Sequence, residues 1–143
     1  MKVLTAGQWV AGEPPGVPGF VHSRFSPLVV AAAAEVLERV ATVRRTGIVI
    51  VGDGDRASAA YVEEAVANGK RIGPLFFFQS VPNSVAGWIA AKWDLRGPVV
   101  CVTTGGREEA EVLLADGDAE QVLIVQVVAD KAFAQIVTGG DPT

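Results

Sequence analysis

Three short apolar runs constrain this chain more than any other feature of its sequence. Residues 48–51, 99–102 and 122–128 are rich in Val and Ile and contain almost no polar side chain. A strand with one face in water alternates apolar and polar residues, whereas a strand covered on both faces is apolar throughout. Segments with helical periodicity separate the runs. This order predicts an α/β fold with a mainly parallel sheet flanked by helices.

The remaining elements follow from periodicity and from residues that begin or end helices. Ser26 and Pro27 suit the N-cap and the first position of a helix, and apolar residues then recur every three or four positions as far as Val43. Shorter helices are predicted over 55–68, 84–93 and 107–114, and two further strands over 2–6 and 132–137. A loop rich in Pro and Gly, residues 11–20, separates the first strand from the first helix.

Length and charge exclude several classes of protein. The 143 residues suit one domain, spanning 1–143. The net charge is −4 and no dense Lys/Arg cluster occurs, which predicts no nucleic-acid partner. The first residues lack the apolar core of a secretory signal and no apolar run has the length of a membrane span, so we expect a cytoplasmic protein without membrane association. One cysteine and one histidine predict no disulfide, no metal site and no cofactor.

A glycine-rich turn follows the first buried run. Gly52 to Ala57 reads GDGDRA, which matches the dinucleotide-binding pattern G-x-G-x-x-A between a strand and a helix. However, Asp53 and Asp55 would repel a pyrophosphate there, and no acidic ribose ligand follows about 20 residues later. Two carboxylates alone also make a weak cation site. A capped turn between strand and helix is therefore the favoured interpretation.

Few residues qualify as catalytic groups. Cys101 lies within an apolar strand, where a thiol is a small buried hydrophobe more often than a nucleophile. His22 follows the Pro-rich loop and has no nucleophile beside it. Trp88, Trp93 and the run 76–78, three phenylalanines, form a dense aromatic segment. These aromatic residues suit either the core or a surface that binds a partner.

Residues 73–104 resemble the N-terminal half of a β-ketoacyl synthase of the thiolase-like superfamily. The resemblance is carried by Pro82-Asn83 at the head of a helix of small residues, by Asp94-Leu95-Arg96-Gly97-Pro98, and by the strand that ends in Thr103-Thr104. It extends over 46–130 and more loosely over the first 45 residues. It implies a three-layer half of a thiolase-like fold. In that family the strand before the nucleophile pairs with its twin across the dimer axis; here that strand is 98–103.

The departures from the family pattern bear on function. The family's Thr-Ala-Cys is replaced by Thr104-Gly105-Gly106, so the nucleophile position is occupied by Gly106. The family's other catalytic residues lie in a C-terminal half that has no counterpart in this sequence. The resemblance therefore implies no catalytic residue and a non-catalytic subunit similar to a chain-length factor. A single half of the thiolase-like fold is also expected to leave an apolar layer uncovered, and an uncovered apolar layer usually marks an interface.

The implied partners are a second copy of the chain or a ketosynthase, with an acyl carrier protein as a further candidate. The pathway implied is polyketide or fatty-acid-like biosynthesis. Two alternatives stay open: a small module that binds an acyl group or nucleotide beyond the strand ends, and an enzyme of another class centred on Cys101 or on Asp53 and Asp55. The predicted interface consists of Asn83, Trp88, Trp93, Pro98, Val100 and Val102, and the predicted ligand site of Gly52, Asp53, Thr104 and Gly106.

Overall fold

The computed structural model describes residues 1–18, 25–52, 63–64, 67–69 and 82–139. Ten of the fourteen residues of the predicted helix over 55–68 fall outside these residues, as do His22, Asp53, Asp55 and the run 76–78. Pro82 and Asn83 are described only as the first residues of a helix.

The described strands form one sheet. Its strands are β1 (Lys2–Trp9), β2 (Thr46–Val51), β3 (Val99–Val102), β4 (Gln121–Val128) and β5 (Lys131–Thr138), in the spatial order β1-β5-β4-β2-β3. β2 is buried at every position, as its uninterrupted apolar sequence predicts. The strands β1 and β3 lie at the two edges of the described sheet.

The α/β class with helices flanking a sheet is confirmed, and the sheet is mixed. β2 pairs in parallel with both β3 and β4, whereas β5 pairs antiparallel with β4 and with β1. The parallel expectation therefore holds for the three strands that carry the apolar runs. β5 runs antiparallel because only Ala129 and Asp130 connect it to β4, and a parallel crossover needs a dozen or more residues.

Helices cover both faces, which gives three layers. α1 (Phe25–Leu37) and α2 (Pro82–Trp93) pack on one face, and α3 (Gly106–Ala115) packs on the other. Between the sheet and the pair α1/α2 lies a core that includes Leu28, Val36, Ile50 and Leu123. A smaller core lies beneath α3. Its buried members are Val49, Val51, Ala110, Leu113, Ala119, Val122, Ile124 and Val137.

Element boundaries differ from the predicted ones by three or more residues at two places. α1 ends at Leu37, although apolar spacing continues to Val43, because the chain turns directly after the helix. A second turn, in which the amide of Thr46 donates to the carbonyl oxygen of Val43 at 3.1 Å, leads into β2. β1 continues past Ala6 to Trp9 through Gly7. Glycine suits this position, since a Cβ there would lie 3.0 Å from Cβ of Glu35 on α1.

Candidate functional site

The ends of β2 and β3 lie side by side. The amide of Gly52, just after β2, donates to the carbonyl oxygen of Val102 at 3.0 Å. A Cβ at Gly52 would lie 3.3 Å from the ring of Phe25 and 3.4 Å from the carbonyl oxygen of Val127, so this strand end is packed. Thr104 is exposed at the neighbouring strand end. The structure thus places Gly52 and Thr104 on adjacent strand ends, and the assignment of a ligand to them stays a prediction.

Gly106 is the first residue of α3 and is buried. A Cβ built on Gly106 would overlap Cγ2 of Val51 and would lie 3.4 Å from Cγ2 of Ile124. Any side chain here would have to displace a core valine of the central strand. The start of α3 therefore has no room for a cysteine in the present packing.

The N-terminus of α3 is also a poor anion site. Its N-cap is Gly105 in the left-handed conformation, with φ 80°, and it provides no side-chain cap. Glu108 and Glu109 occupy the first turn. Carboxylates in the first turn offset the positive end of the helix dipole, which would otherwise attract a phosphate.

Cys101 lies on β3 with its side chain on the face covered by α1 and α2, where it packs against the larger core. Burial raises the pKa of the Cys101 thiol. A catalytic cysteine needs the opposite shift, because the thiolate is the nucleophile. The interpretation of Cys101 as a small hydrophobe therefore fits its surroundings better than the enzymatic alternative.

β3 forms an open edge of the described sheet. Among the described residues it pairs with β2 alone, and Val99 at its start is 38% exposed. Val100 and Val102 point to the α3 side and are half-buried, and Pro98 accepts a hydrogen bond from the amide of Ile48 at 2.8 Å. Unpaired edges are templates for another strand.

The opposite edge of the described sheet, β1, is protected by an arginine side chain. Arg39 reaches from the chain after α1 to β1, where its Nη1 donates to the carbonyl oxygen of Ala6 at 2.6 Å. Its Nη2 also donates to Glu35 at 3.0 Å, which fixes the guanidinium. A charged side chain along an edge strand is a common protection against edge-to-edge association. The sequence gave no signal of this contact, because its partners are 33 residues apart.

Trp88 and Trp93 form a cluster on α2 with Lys92 between them. The two indole rings meet edge to face with centroids 6.4 Å apart, and Nζ of Lys92 lies 5.1 Å and 4.9 Å from their centroids. Both rings also pack against the larger core and are half-buried. Each ring therefore contributes to the core and keeps an accessible part, and the role of these rings in binding a partner stays a prediction.

The outer surface of α3 is not the uncovered apolar layer that the resemblance led us to expect. Its buried residues are Gly106, Ala110 and Leu113, whereas Arg107, Glu108 and Glu111 face solvent. Val112 is the exposed exception, at 53%. A helix sandwiched between two sheets is apolar all round, but this one is amphipathic.

An ion-paired cluster lies at the other end of the parallel strands. Asp94 accepts from Nε of Arg96 at 2.9 Å and from Nε of Arg44 at 3.2 Å. The hydrogen bond from Arg96 lowers the pKa of the Asp94 carboxyl, and the charges of Arg96 and Arg44 act in the same direction. The amide of Arg96 also donates to the carbonyl oxygen of Arg44 at 2.6 Å. This cluster connects the segment just before β3 to the segment just before β2.

A depression of about 500 Å³ lies against β1, β4 and β5. Its polar lining is not among the residues predicted to form a site. Gln8, Gln126 and Gln135 contribute to this lining, together with Phe133. The alternation of Phe133 and Gln135 with the buried Ala132, Ala134 and Ile136 was the available signal.

The part of the chain that the structure describes contains no group of three or more His, Cys, Asp or Glu that could hold a metal ion. None of the described helices combines the length and the apolar character needed to cross a bilayer.

Solved structures share this fold. No protein-family model matches the chain, and no curated protein sequence does. One similar structure is that of the ketosynthase ApeO in complex with its chain length factor ApeC from Xenorhabdus doucetiae, with 18% identity and a TM-score of 0.75, covering 99% of this chain and 79% of the matched one. Another is the ishigamide ketosynthase/chain length factor, with 18% identity and a TM-score of 0.73, covering 92% of this chain and 48% of the matched one. The chain therefore has the thiolase-like fold of these structures, as the resemblance implied, and it spans about half the length of the second.

Proposed function

We propose that this chain is a non-catalytic, ketosynthase-like subunit that works by pairing with a ketosynthase-fold chain, either itself or an active ketosynthase, in polyketide or fatty-acid-like biosynthesis. The observation that carries the proposal is the contact between Gly106 and Val51. A Cβ at Gly106 would overlap Cγ2 of Val51, so the position at which the resemblance implies an acyl-accepting side chain has no room for one.

The described part of the chain offers no replacement nucleophile at that position. Thr103 and Thr104 are exposed, and no His, Lys or second cysteine lies among residues 99–106 to activate them. Cys101 points to the opposite face of the sheet from α3, and burial raises its pKa. The chain's contribution is therefore expected to come from its surface.

The charge distribution favours β3 and α2 as the pairing surface. A partner placed on α3 would have to bury Arg107, Glu108 and Glu111, and burying charges without partners is costly. The edge β3 carries no charged side chain, and half-buried Trp88 and Trp93 lie on α2, which packs against it. Aromatic anchors beside an apolar edge suit an interface. Asn83, at the start of α2, belongs to the same predicted surface.

The similar structures add support from their composition. One is a ketosynthase in complex with its chain length factor, and the matched chain is 79% covered by this short one. A chain of similar length therefore occurs within such a complex. An acyl carrier protein is a further candidate partner, since it delivers acyl groups to ketosynthases, but no contact surface in the described residues favours it.

Association can be tested with a matched pair of variants. Val99→Lys/Thr103→Lys adds two charges at exposed positions along the β3 edge, and Val112→Lys/Ala115→Lys adds two at exposed positions on α3. We expect the first to abolish association with itself or with a co-expressed ketosynthase, measured by size exclusion with light scattering, because lysines block strand edges. We expect the second to leave it unchanged.

The same purified protein tests whether the chain is non-catalytic. Incubation with acyl thioesters, followed by intact-mass measurement, should show no acyl adduct. A clean monomer that also ignores a co-expressed ketosynthase would overturn the pairing. A stoichiometric adduct would overturn the non-catalytic assignment.

A further inference from the structure

We propose that the depression against β1, β5 and β4 binds a neutral carbohydrate, with one pyranose ring stacked on Phe133 and its hydroxyl groups bonded to glutamine amides. The depression has a volume of about 500 Å³, within the range of small-molecule sites. None of its described lining residues belongs to β3 or α2. The proposal therefore goes beyond the pairing function proposed above and does not depend on it.

The register of the sheet builds the floor of the depression. Phe133 on β5 pairs with Gln8 on β1 and with Gln126 on β4. Gln135, two residues further along β5, pairs with Ile124 on β4. Directly paired residues of antiparallel strands share one face of the sheet. The aromatic ring is therefore flanked by an amide on each neighbouring strand, and a third amide follows it along its own strand.

This floor lies on the face of the sheet that carries α3. Ala134, between Phe133 and Gln135, belongs to the core beneath α1 and α2, so its two neighbours point to the opposite face. Ile124 belongs to the core beneath α3 and lies close to Gly106 at the start of that helix. Phe133 is nevertheless 39% exposed. The start of α3 thus stands beside the depression and leaves the ring accessible.

Strand spacing sets the size of the ligand. Side chains two residues apart on one strand are separated by about 7 Å, and neighbouring strands by about 4.8 Å. Two rows on three strands therefore define a floor of about 7 by 10 Å. One or two sugar rings fit this footprint, whereas an extended peptide of more than about three residues would run beyond it.

The lining favours a neutral ligand that both donates and accepts hydrogen bonds. Gln8 and Gln126 are exposed and Gln135 is half-buried, so all three amides are accessible. Each amide offers two N–H donors and a carbonyl acceptor, and a hydroxyl group can match either kind. The charged residues among the described lining are Glu35 and Arg39, which pair with each other at 3.0 Å. A charge on the ligand would therefore find no unpaired counter-charge in this lining.

Phe133 supplies the apolar part of the site. A pyranose ring has an apolar face of C–H groups and a rim of hydroxyl groups. Stacking that face on the aromatic ring buries apolar surface on both sides. The hydroxyl rim then extends toward the neighbouring strands, where Gln8 and Gln126 lie. The lining thus matches both surfaces of one sugar ring.

Saturation-transfer NMR on the unmodified chain tests the site with glucose, galactose and maltose as probes. We expect transfer from the protein to the C–H protons of at least one probe, with a Kd on the order of 1 mM. Phe133→Ala removes the stacking ring, and Gln126→Leu keeps the size of the side chain while removing its amide. Each should weaken binding about fivefold or more. Both positions are exposed, and tryptophan fluorescence verifies that the variants are folded.

Val128→Ala is the matched control, because Val128 is also exposed on β4 but does not line the depression. It should leave binding unchanged. Absence of transfer to all three sugars, or full binding by Phe133→Ala, would overturn the proposal. Transfer to glucuronate, adenosine or triglycine in place of the sugars would overturn the assignment to a neutral carbohydrate. None of these variants alters β3 or α2, so size exclusion of the same samples tests the pairing function separately.

Discussion

Adding one methyl group at Gly106 should destabilise the fold, although glycine is the poorest helix former after proline. Alanine there places Cβ in the volume of Cγ2 of Val51 and within 3.4 Å of Cγ2 of Ile124. Overpacking a tight core costs about 1–3 kcal/mol. The gain from helix propensity is below about 1 kcal/mol at a first-turn position. We therefore expect Gly106→Ala to lower the free energy of unfolding by about 1–2 kcal/mol.

Shortening the opposing side chain should relieve the conflict. Val51→Ala alone leaves a cavity in the core beneath α3, and since Ile→Val costs about 0.5–1.5 kcal/mol for one methylene, we expect about 1–3 kcal/mol here. In the double variant, Cβ of residue 106 occupies part of that cavity. The double variant should therefore lose less than the sum of the singles, with a coupling energy of about 1–2 kcal/mol, as for residues in direct contact.

Gly87 provides the matched control. It lies in α2, and a Cβ there would meet nothing within 4 Å. Gly87→Ala should stabilise the chain by about 0.5–1 kcal/mol through helix propensity alone. Guanidinium unfolding followed by tryptophan fluorescence, at one protein concentration for all variants, measures each free energy. If Gly106→Ala stabilises as Gly87→Ala does, or if its effect adds simply to that of Val51→Ala, the steric reasoning about this site is refuted.

Three further perturbations test other parts of the structure. Arg39→Ala removes the donor to the carbonyl oxygen of Ala6 on edge strand β1, so we expect more edge-to-edge association on heating, measured by light scattering; unchanged scattering would refute the guarding role. The pKa of Asp94 is lowered chiefly by the hydrogen bond from Arg96, so its contribution to stability is present above the ordinary carboxyl pKa and lost as the pH falls through the lowered value. Thermal unfolding of Asp94→Asn should therefore differ from that of the unmodified chain at neutral pH and converge with it in acid, and a gap that widens in acid would contradict the shift. Because burial raises the pKa of Cys101, iodoacetamide at neutral pH should modify it more slowly than in the unfolded chain, and equal or faster modification would favour the enzymatic alternative.

Much of the fold could be predicted because its signals are local. The apolar run at 48–51 and the strand predicted over 99–102 correspond to β2 and β3, and the N-cap pattern at Ser26 falls within one residue of the observed start of α1. The predicted interface and ligand residues on these elements could be placed for the same reason. Asp53 and the aromatic run 76–78 lie outside the described residues. The roles of all the predicted interface and ligand residues stay predictions.

The sequence by itself determined which segments are strands and helices, and that Gly106 stands where the resemblance requires a nucleophile. Side-chain period and capping depend on neighbours a few residues away, and these are visible in a linear chain. Only the tertiary structure decided the antiparallel pairing of β1 with β5, the protected edge at Ala6 and the open edge at β3. It also decided that Val51 fills the space above Gly106. These contacts join residues 30 or more positions apart, so they form only when the strands take their places in the folded sheet.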